Sequence, residues 1–73
     1  MSKRSVIRSD PQVMSGTPVF AGTRVPAKTL FDYLGHGHTL DEFLDDFPAV
    51  TRDQAVTALE LAGEAVIAHA GAA

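Results

Sequence analysis

Residues 39–54 have the sequence TLDEFLDDFPAVTRDQ, which contains two helix starts with a helix stop between them. Thr39 followed three residues later by Glu42 forms a capping box, in which each side chain accepts a hydrogen bond from a backbone N–H at the helix start. Thr51 and Gln54 repeat this pattern. The proline between the two boxes ends the first helix, because the residue before a proline is disfavoured in the α region. The stretch therefore predicts two helices joined by a short turn.

The helix after Thr39 is predicted to be amphipathic. Apolar residues lie at the i, i+3, i+4 and i+7 positions of one face, namely Leu40, Phe43, Leu44 and Phe47. The opposite face carries four carboxylates, Asp41, Glu42, Asp45 and Asp46. General acid–base catalysis needs a pocket that shifts pKa values, so carboxylates on a solvated face are not expected to be catalytic.

The helix after Thr51 is predicted to run from about residue 52 to about residue 69. A broad face is expected to pack on the core, and it consists of Ala55, Val56, Leu59, Ala62, Gly63, Val66, Ile67 and Ala70. A third side is apolar but expected to point away from the core, with Ala58, Leu61, Ala65 and Ala68. This side suits a helix of a second copy or of a partner, although alanine also favours a helix on a plain solvent face.

Upstream of residue 39, the sequence predicts another helix. Pro26 fits the first helical position, where its missing N–H is not needed. Apolar residues then recur at helical spacing at Ala27, Leu30, Phe31 and Leu34, and the glycines at 35 and 37 end the helix.

A small β element is predicted before this helix. Residues 6–8 form a short β-branched run, and residues 16–25 predict a tight turn flanked by two short strands. Gly22 supplies the positive φ that such a turn needs. The sequence leaves open whether the first strand pairs within its own chain or with a second subunit.

The chain is therefore predicted to be α+β, with residues 1–5 as a flexible basic arm and residues 6–73 as one domain. Its 73 residues include no cysteine. A core of this size contributes only about 3–5 kcal/mol, so a homodimer or a partner protein is expected to add stability. The sequence predicts neither a membrane span nor a signal peptide, and a cytoplasmic protein is expected.

Charge divides the chain into two unlike parts. Residues 1–28 carry five basic residues against Asp10, a net charge of +4, whereas residues 29–73 carry Arg52 against eight acidic residues, a net charge of −7. The acidic part includes both helices of the predicted helix-turn-helix. Because a phosphate backbone attracts cations, this distribution opposes the usual ligand of such a domain.

A family resemblance rests on short motifs between residues 6 and 61. The sequence resembles the bacterial family known as domain of unknown function 433, which is also described as VapB-type antitoxin-like. The matching residues are Asp10-Pro11, Gly16-Thr17-Pro18, Gly22-Thr23-Arg24-Val25-Pro26, Leu30, Leu34, Gly37, Glu42, Leu44, Phe47, Pro48 and Thr51.

The resemblance implies a homeodomain-like or winged helix-turn-helix domain preceded by a small β element. It also implies an antitoxin of a type II toxin-antitoxin system, which neutralises a PIN-like ribonuclease toxin and binds operator DNA to regulate its own transcription. Many antitoxins neutralise with a flexible tail beyond the DNA-binding domain, whereas this sequence ends at Gly71-Ala72-Ala73, directly after the predicted third helix. Neutralisation here is therefore expected to use the folded surface or a rearrangement induced by the toxin. The alternative function is a protein-interaction or dimerisation module that does not bind DNA.

Operator DNA would be contacted by the start of the third helix and by the basic part of the chain. Arginine and glutamine are good partners of guanine and adenine. The candidate DNA-binding residues are Lys3, Arg4, Arg8, Arg24, Lys28, Arg52, Gln54 and Thr57.

A basic ribonuclease would instead be attracted to the acidic part of the chain. Apolar contacts are also needed, since charges at the rim of an interface contribute more to association rate than to affinity. The candidate partner-binding residues are Asp41, Glu42, Asp45, Asp46, Leu61, Ala65 and Ala68.

Catalysis, cofactors and metals are not expected. The sequence has no nucleophile elbow and no glycine-rich phosphate loop. His36 and His38 are near Asp32 and Asp41 in sequence, but they flank a flexible glycine, and histidine is also favourable at a helix C-terminus.

Arg24 has two interpretations. Its guanidinium could bind a phosphate or a carboxylate with two hydrogen bonds. It could also form an internal salt bridge with Asp10 or Asp32 that ties the β element to the first helix. This second role is slightly favoured, because a small domain without disulfides needs such ties.

Overall fold

The computed structural model describes residues 3–9, 11–12 and 16–71, and for Lys3 and Arg4 it describes the backbone alone. The elements are a 3-10 helix at Lys3–Val6, strands β1 (Ile7–Arg8) and β2 (Val19–Phe20), and helices α1 (Ala27–Gly35), α2 (Leu40–Asp46) and α3 (Arg52–Gly71). The predicted α+β order of short strands followed by three helices is confirmed.

The two strands pair antiparallel within the chain, with Ile7 opposite Phe20 and Arg8 opposite Val19. Val19 also forms a single bridge with Pro26, so the segment after the turn lies along the other edge of β2. The turn between β2 and the segment that reaches Pro26 has Gly22 at φ 76°. The strand therefore pairs within its own chain, and the predicted turn flanked by extended segments is present.

All three helix starts lie within one residue of their predicted positions. Pro26 is the N-cap of α1, so the helix begins one residue later than predicted. The Thr39–Glu42 capping box is complete at the start of α2. At the start of α3, the Thr51 N–H donates to the Gln54 side-chain oxygen at 3.0 Å, and the Gln54 N–H donates to Thr51 Oγ1 at 3.1 Å.

The core is centred on three fully buried side chains, Phe20, Leu30 and Phe43. The Phe43 ring lies 6.1 Å from the Phe20 ring, 5.5 Å from the Tyr33 ring and 5.1 Å from the Phe47 ring, measured between centroids. Phe43 therefore joins the β element to α1 and α2. Of the apolar residues that recur along α1, Ala27 and Leu30 are buried, whereas Phe31 is 39% exposed.

The orientation of α3 differs from the prediction. Ala58, predicted to point outward, is buried at 4% exposure, whereas Val56, Val66 and Ile67, predicted to face the core, are 39%, 68% and 74% exposed. Every residue from Gly63 to Gly71 is exposed. The physical reason is that α3 extends beyond the small core. Its first turns cover the core with alanines, and its distal half packs against no other described segment of the chain.

The N-terminal 3-10 helix contacts α3. It includes three residues of the predicted flexible arm, whose first two residues lie outside the described part of the chain. Within the described ranges, none of the helices, α3 included, has the length and apolar character of a membrane-spanning segment.

Candidate functional site

The residues predicted to contact bases at the start of α3 are already engaged within the chain. The Arg52 guanidinium forms an ion pair with Asp41. The Gln54 amide donates a hydrogen bond of 3.0 Å to the Ala21 carbonyl, while its oxygen completes the capping box of α3. Thr57 is half-buried. A base contact by Arg52 or Gln54 would therefore first have to break these interactions, which the sequence pattern did not reveal.

The other predicted DNA-binding cations with described side chains lie on β1, on the segment after β2 and in the first turn of α1. Arg8 pairs with Val19, which in turn bridges to Pro26, so Arg8 lies two strand spacings, about 10 Å, from the segment that follows Arg24. Both arginines are exposed, and neither forms an ion pair with another residue in the described part of the chain. We call Arg8, Arg24 and Lys28 the basic cluster.

Two members of the basic cluster have defined surroundings. Lys28 forms a salt bridge with Asp32 at 2.7 Å, which partly neutralises it. Arg8 lines an open cleft of about 510 Å³ together with Gly22 and Thr23. Of the two predicted partners of Arg24, Asp32 thus binds Lys28, and Asp10 lies outside the described residues, as do the Lys3 and Arg4 side chains.

We call the exposed carboxylates of α2 the acidic surface; they are Asp41, Glu42, Asp45 and Asp46. Three of them also have partners within the chain: Asp41 pairs with Arg52, Glu42 caps α2, and Asp46 accepts a hydrogen bond of 2.7 Å from the Tyr33 hydroxyl. These contacts hold the carboxylates in place while leaving them open to solvent. The helix geometry thus presents the predicted acidic residues together on one exposed surface.

Two groups at the acidic surface, Glu42 and Tyr33, have shifted pKa values. The hydrogen bond from the Thr39 backbone N–H, with further hydrogen bonds from His38 and the Thr39 side chain, holds the pKa of Glu42 below its usual value. The hydrogen bond to Asp46 raises the pKa of Tyr33 above its usual value, because it favours the neutral phenol. Tyr33 was not identified from the sequence, where a lone tyrosine has no pattern to mark it.

The histidines near α2 have local roles. His36 Nδ1 lies 2.6 Å from the Asp32 carbonyl oxygen, and His38 Nδ1 lies 3.2 Å from a Glu42 carboxylate oxygen. Among the described residues, no group of three or more histidine, aspartate or glutamate side chains is arranged to hold a metal ion.

The predicted apolar partner-binding residues lie along α3. Leu61 is half-buried, whereas Ala65 and Ala68 are fully exposed. A second set of apolar residues is exposed on a different side of the same helix: Val56, Gly63, Val66, Ile67 and Ala70. We call this set the apolar stripe; the sequence pattern predicted that all of it would face the core.

Comparison with known proteins adds a family and a fold. The family model described as "Protein of unknown function (DUF433)" matches residues 7–62. The uncharacterized protein y4eO of Sinorhizobium fredii is 31% identical over 51 residues, which cover 70% of this chain and 23% of y4eO. The crystal structure of a DUF433 member protein from Anabaena variabilis has a TM-score of 0.72 and 26% identity, over 84% of this chain and 60% of that one. The chain thus spans less than two thirds of the length of either relative.

Proposed function

Because the chain belongs to the DUF433 family, whose description assigns no activity, we propose a function from its own surfaces: it is an antitoxin-like module that binds and neutralises a basic ribonuclease of the PIN-like type. The observation that carries this proposal is the acidic surface. Four carboxylates are exposed on α2, while Arg52 and Gln54, two of the base-contacting residues of a helix-turn-helix, are engaged within the chain.

The electrostatics favour a basic protein as the partner. A ribonuclease that binds RNA concentrates positive charge around its active site, so an acidic surface is attracted to the region that the substrate would occupy. The exposed alanines at 65 and 68, with half-buried Leu61, supply apolar contacts on the neighbouring helix. Occupation of the substrate site by a folded surface would neutralise the enzyme without a flexible tail.

The first test is a pull-down of the tagged chain from its native cells at low and high salt, with mass spectrometry of the retained proteins. We expect a small basic nuclease in stoichiometric amount, with less retained at high salt because charge attraction is screened. Recovery of DNA and general DNA-associated proteins alone, all released by salt, would contradict the proposal.

A charge-reversal pair then locates the surface. Among the four carboxylates of the acidic surface, Asp45 has no hydrogen bond or ion pair to another described residue, so Asp45→Lys changes the surface charge without breaking an internal contact. Asp53→Lys, at the exposed start of α3, makes the same change in net charge elsewhere. We expect Asp45→Lys to weaken nuclease binding roughly tenfold or more, and Asp53→Lys to weaken it less. Equal binding by both variants would remove the acidic surface from the interface.

Operator binding is the second candidate, and it is favoured by Arg8 and Arg24, which form no ion pair with any described residue. We propose that DNA contacts rely on Arg8, Arg24 and the arm residues Lys3 and Arg4, with little base reading by α3. Such binding would be weak and sensitive to salt, since each phosphate contact releases counterions. Arg24→Ala should lower operator affinity and leave the melting temperature unchanged. A drop in melting temperature with unchanged affinity would assign Arg24 to an internal salt bridge instead.

A further inference from the structure

The ion pair between Arg52 and Asp41 joins α2 and α3 at their first turns. Asp41 is the second residue of α2, and Arg52 is the first residue of α3. The Arg52 guanidinium donates a hydrogen bond to the Asp41 carboxylate. A carboxylate and a phosphate or base edge bind a guanidinium through the same N–H groups. The fold therefore competes with an external ligand for this side chain.

The contact of Arg52 is reversible, whereas that of Gln54 belongs to the fold. The Arg52 side chain is 60% exposed and that of Asp41 is 75% exposed. An ion pair between such exposed side chains changes an equilibrium by at most about fivefold. Gln54 is half-buried, and it holds both the Ala21 carbonyl and the capping box of α3. A ligand can thus replace Asp41 at Arg52 without disturbing a helix cap.

Asp41 opposes DNA in two ways. Its charge repels phosphates, as does every carboxylate of the acidic surface. It also occupies the guanidinium of Arg52. Asp45 lies one turn later on the same helix, is exposed, and has no hydrogen bond or ion pair to another described residue. Asp45 therefore has the first effect without the second, which makes it a matched control for Asp41.

We propose that the Arg52–Asp41 ion pair is an autoinhibitory contact, which holds back the residue of α3 that binds guanine in DNA. Opening of the pair frees the guanidinium for the O6 and N7 acceptors of guanine, which arginine binds with two hydrogen bonds in the major groove. The inference rests on the operator binding proposed above. It gives a physical reason for the small contribution of α3 to base reading in the wild-type chain.

Release of Arg52 has a signature that a change of surface charge lacks. Loss of a negative charge raises the affinity for any duplex, because phosphates are the same in every sequence. A released Arg52 raises the affinity more where guanine is present, since adenine carries an amino donor in place of the O6 acceptor. The strength of the ion pair limits the gain to about fivefold.

Fluorescence anisotropy at low salt tests the proposal with two duplexes, one of G·C pairs alone and one of A·T pairs alone. We expect Asp41→Asn to prefer the G·C duplex by about two- to fivefold more than Asp45→Asn does. The two variants change the net charge by the same amount on one helix. Asp41→Ser makes the same charge change as Asp41→Asn and gives a second variant with the same expectation.

An Arg52→Ala background isolates the guanidinium. In that background Asp41→Asn should give the same G·C preference as Asp45→Asn, because no guanidinium remains to be released. A G·C preference that Asp41→Asn still gains without Arg52 would overturn the proposal. Melting curves of all variants, recorded in the same buffer, show that each is folded at the temperature of the binding experiment.

The inference and the operator proposal fail separately. If the wild-type chain binds both duplexes and the Asp41 and Asp45 variants show the same G·C preference, the ion pair does not hold Arg52 back, and operator binding by the basic cluster stands. Binding by Asp41→Asn, but not by the wild type or Asp45→Asn, would support the autoinhibitory contact. Absence of binding by all of these chains would overturn both proposals.

Discussion

Glu42 shows how one side chain serves both the local fold and the surface charge. Its carboxylate accepts a hydrogen bond of 3.0 Å from the Thr39 N–H, and the Thr39 hydroxyl accepts one of 3.1 Å from the Glu42 N–H. The negative charge also lies in the first turn of α2, where the helix dipole favours it. The folded state thus prefers ionised Glu42, in keeping with its lowered pKa.

The consequence for stability has a definite sign. The Glu42 contribution is fully present above its unfolded pKa of about 4.5, and it is lost as the pH falls through the lower folded value. Glu42→Gln keeps a capping side chain but removes the charge. We expect it to melt at a lower temperature than the wild type near pH 7, with the two melting curves converging in acid. Melting temperatures measured from pH 7 to pH 2 check this, and a constant difference would contradict it.

Gln54 has a structural role in addition to its proposed contact with DNA. Its side chain joins the start of α3 to the turn after β2, through Thr51 and the Ala21 carbonyl. We expect Gln54→Ala to lower the free energy of unfolding by about 1–2 kcal/mol, because a half-buried hydrogen bond and part of a helix cap are lost. Urea unfolding measures this, with exposed Asp53→Ala as the control. A variant of normal stability that binds operator DNA less well would restore Gln54 as a base-contacting residue.

At the scale of the elements, α3 is the one whose packing departs most from its pattern. The helix is apolar on several sides, so no single face is marked by the sequence as the one that must be buried. The side with Ala55 and Ala58 is the one that is buried, because small side chains let the helix lie close to the buried rings of Phe20 and Phe43.

A matched pair of leucine substitutions tests this orientation. Ala58 is 4% exposed, so Ala58→Leu should overpack the core and cost about 1–3 kcal/mol of stability. Ala65 is exposed on the same helix, so Ala65→Leu should change stability by less than about 0.5 kcal/mol. Chemical denaturation of the two variants gives the comparison. Equal costs, or a greater cost at Ala65, would mean that α3 packs with a different face.

At the scale of the whole molecule, the domain consists of a compact body and a projecting helix end. The core residues of α3 lie in its first two turns, and every residue from Gly63 to Gly71 is exposed. The acidic surface therefore lies with the body, near the start of α3, whereas the apolar stripe reaches along the distal half of the helix.

Truncation after Gly63 follows from this division. We expect the shortened chain to fold and to lose less than about 1 kcal/mol of stability when monomeric, because exposed residues at a helix end contribute little. Circular dichroism and urea unfolding at low protein concentration make the measurement. A chain that fails to fold without this segment would show that the distal half of α3 supports the body.

The sequence by itself determined where the helices begin, the order of the elements and the charge of α2. Capping boxes, proline and glycine act within a few residues, so their effects are present in the local sequence. Seven-residue α2 shows its buried face clearly, since Phe43 and its neighbours are strongly apolar and the other face carries four carboxylates.

Only the tertiary structure decided which face of α3 is buried, how far the core extends along it, and that Gln54 and Arg52 have partners within the chain. These depend on contacts between distant segments, such as Gln54 with Ala21, for which no local pattern exists. Burial also depends on the size of the core. A helix of 20 residues extends beyond a core that two of its turns already cover. The exposure of Val66 and Ile67 follows from that mismatch in length, because no other element of the described chain reaches the distal half of α3.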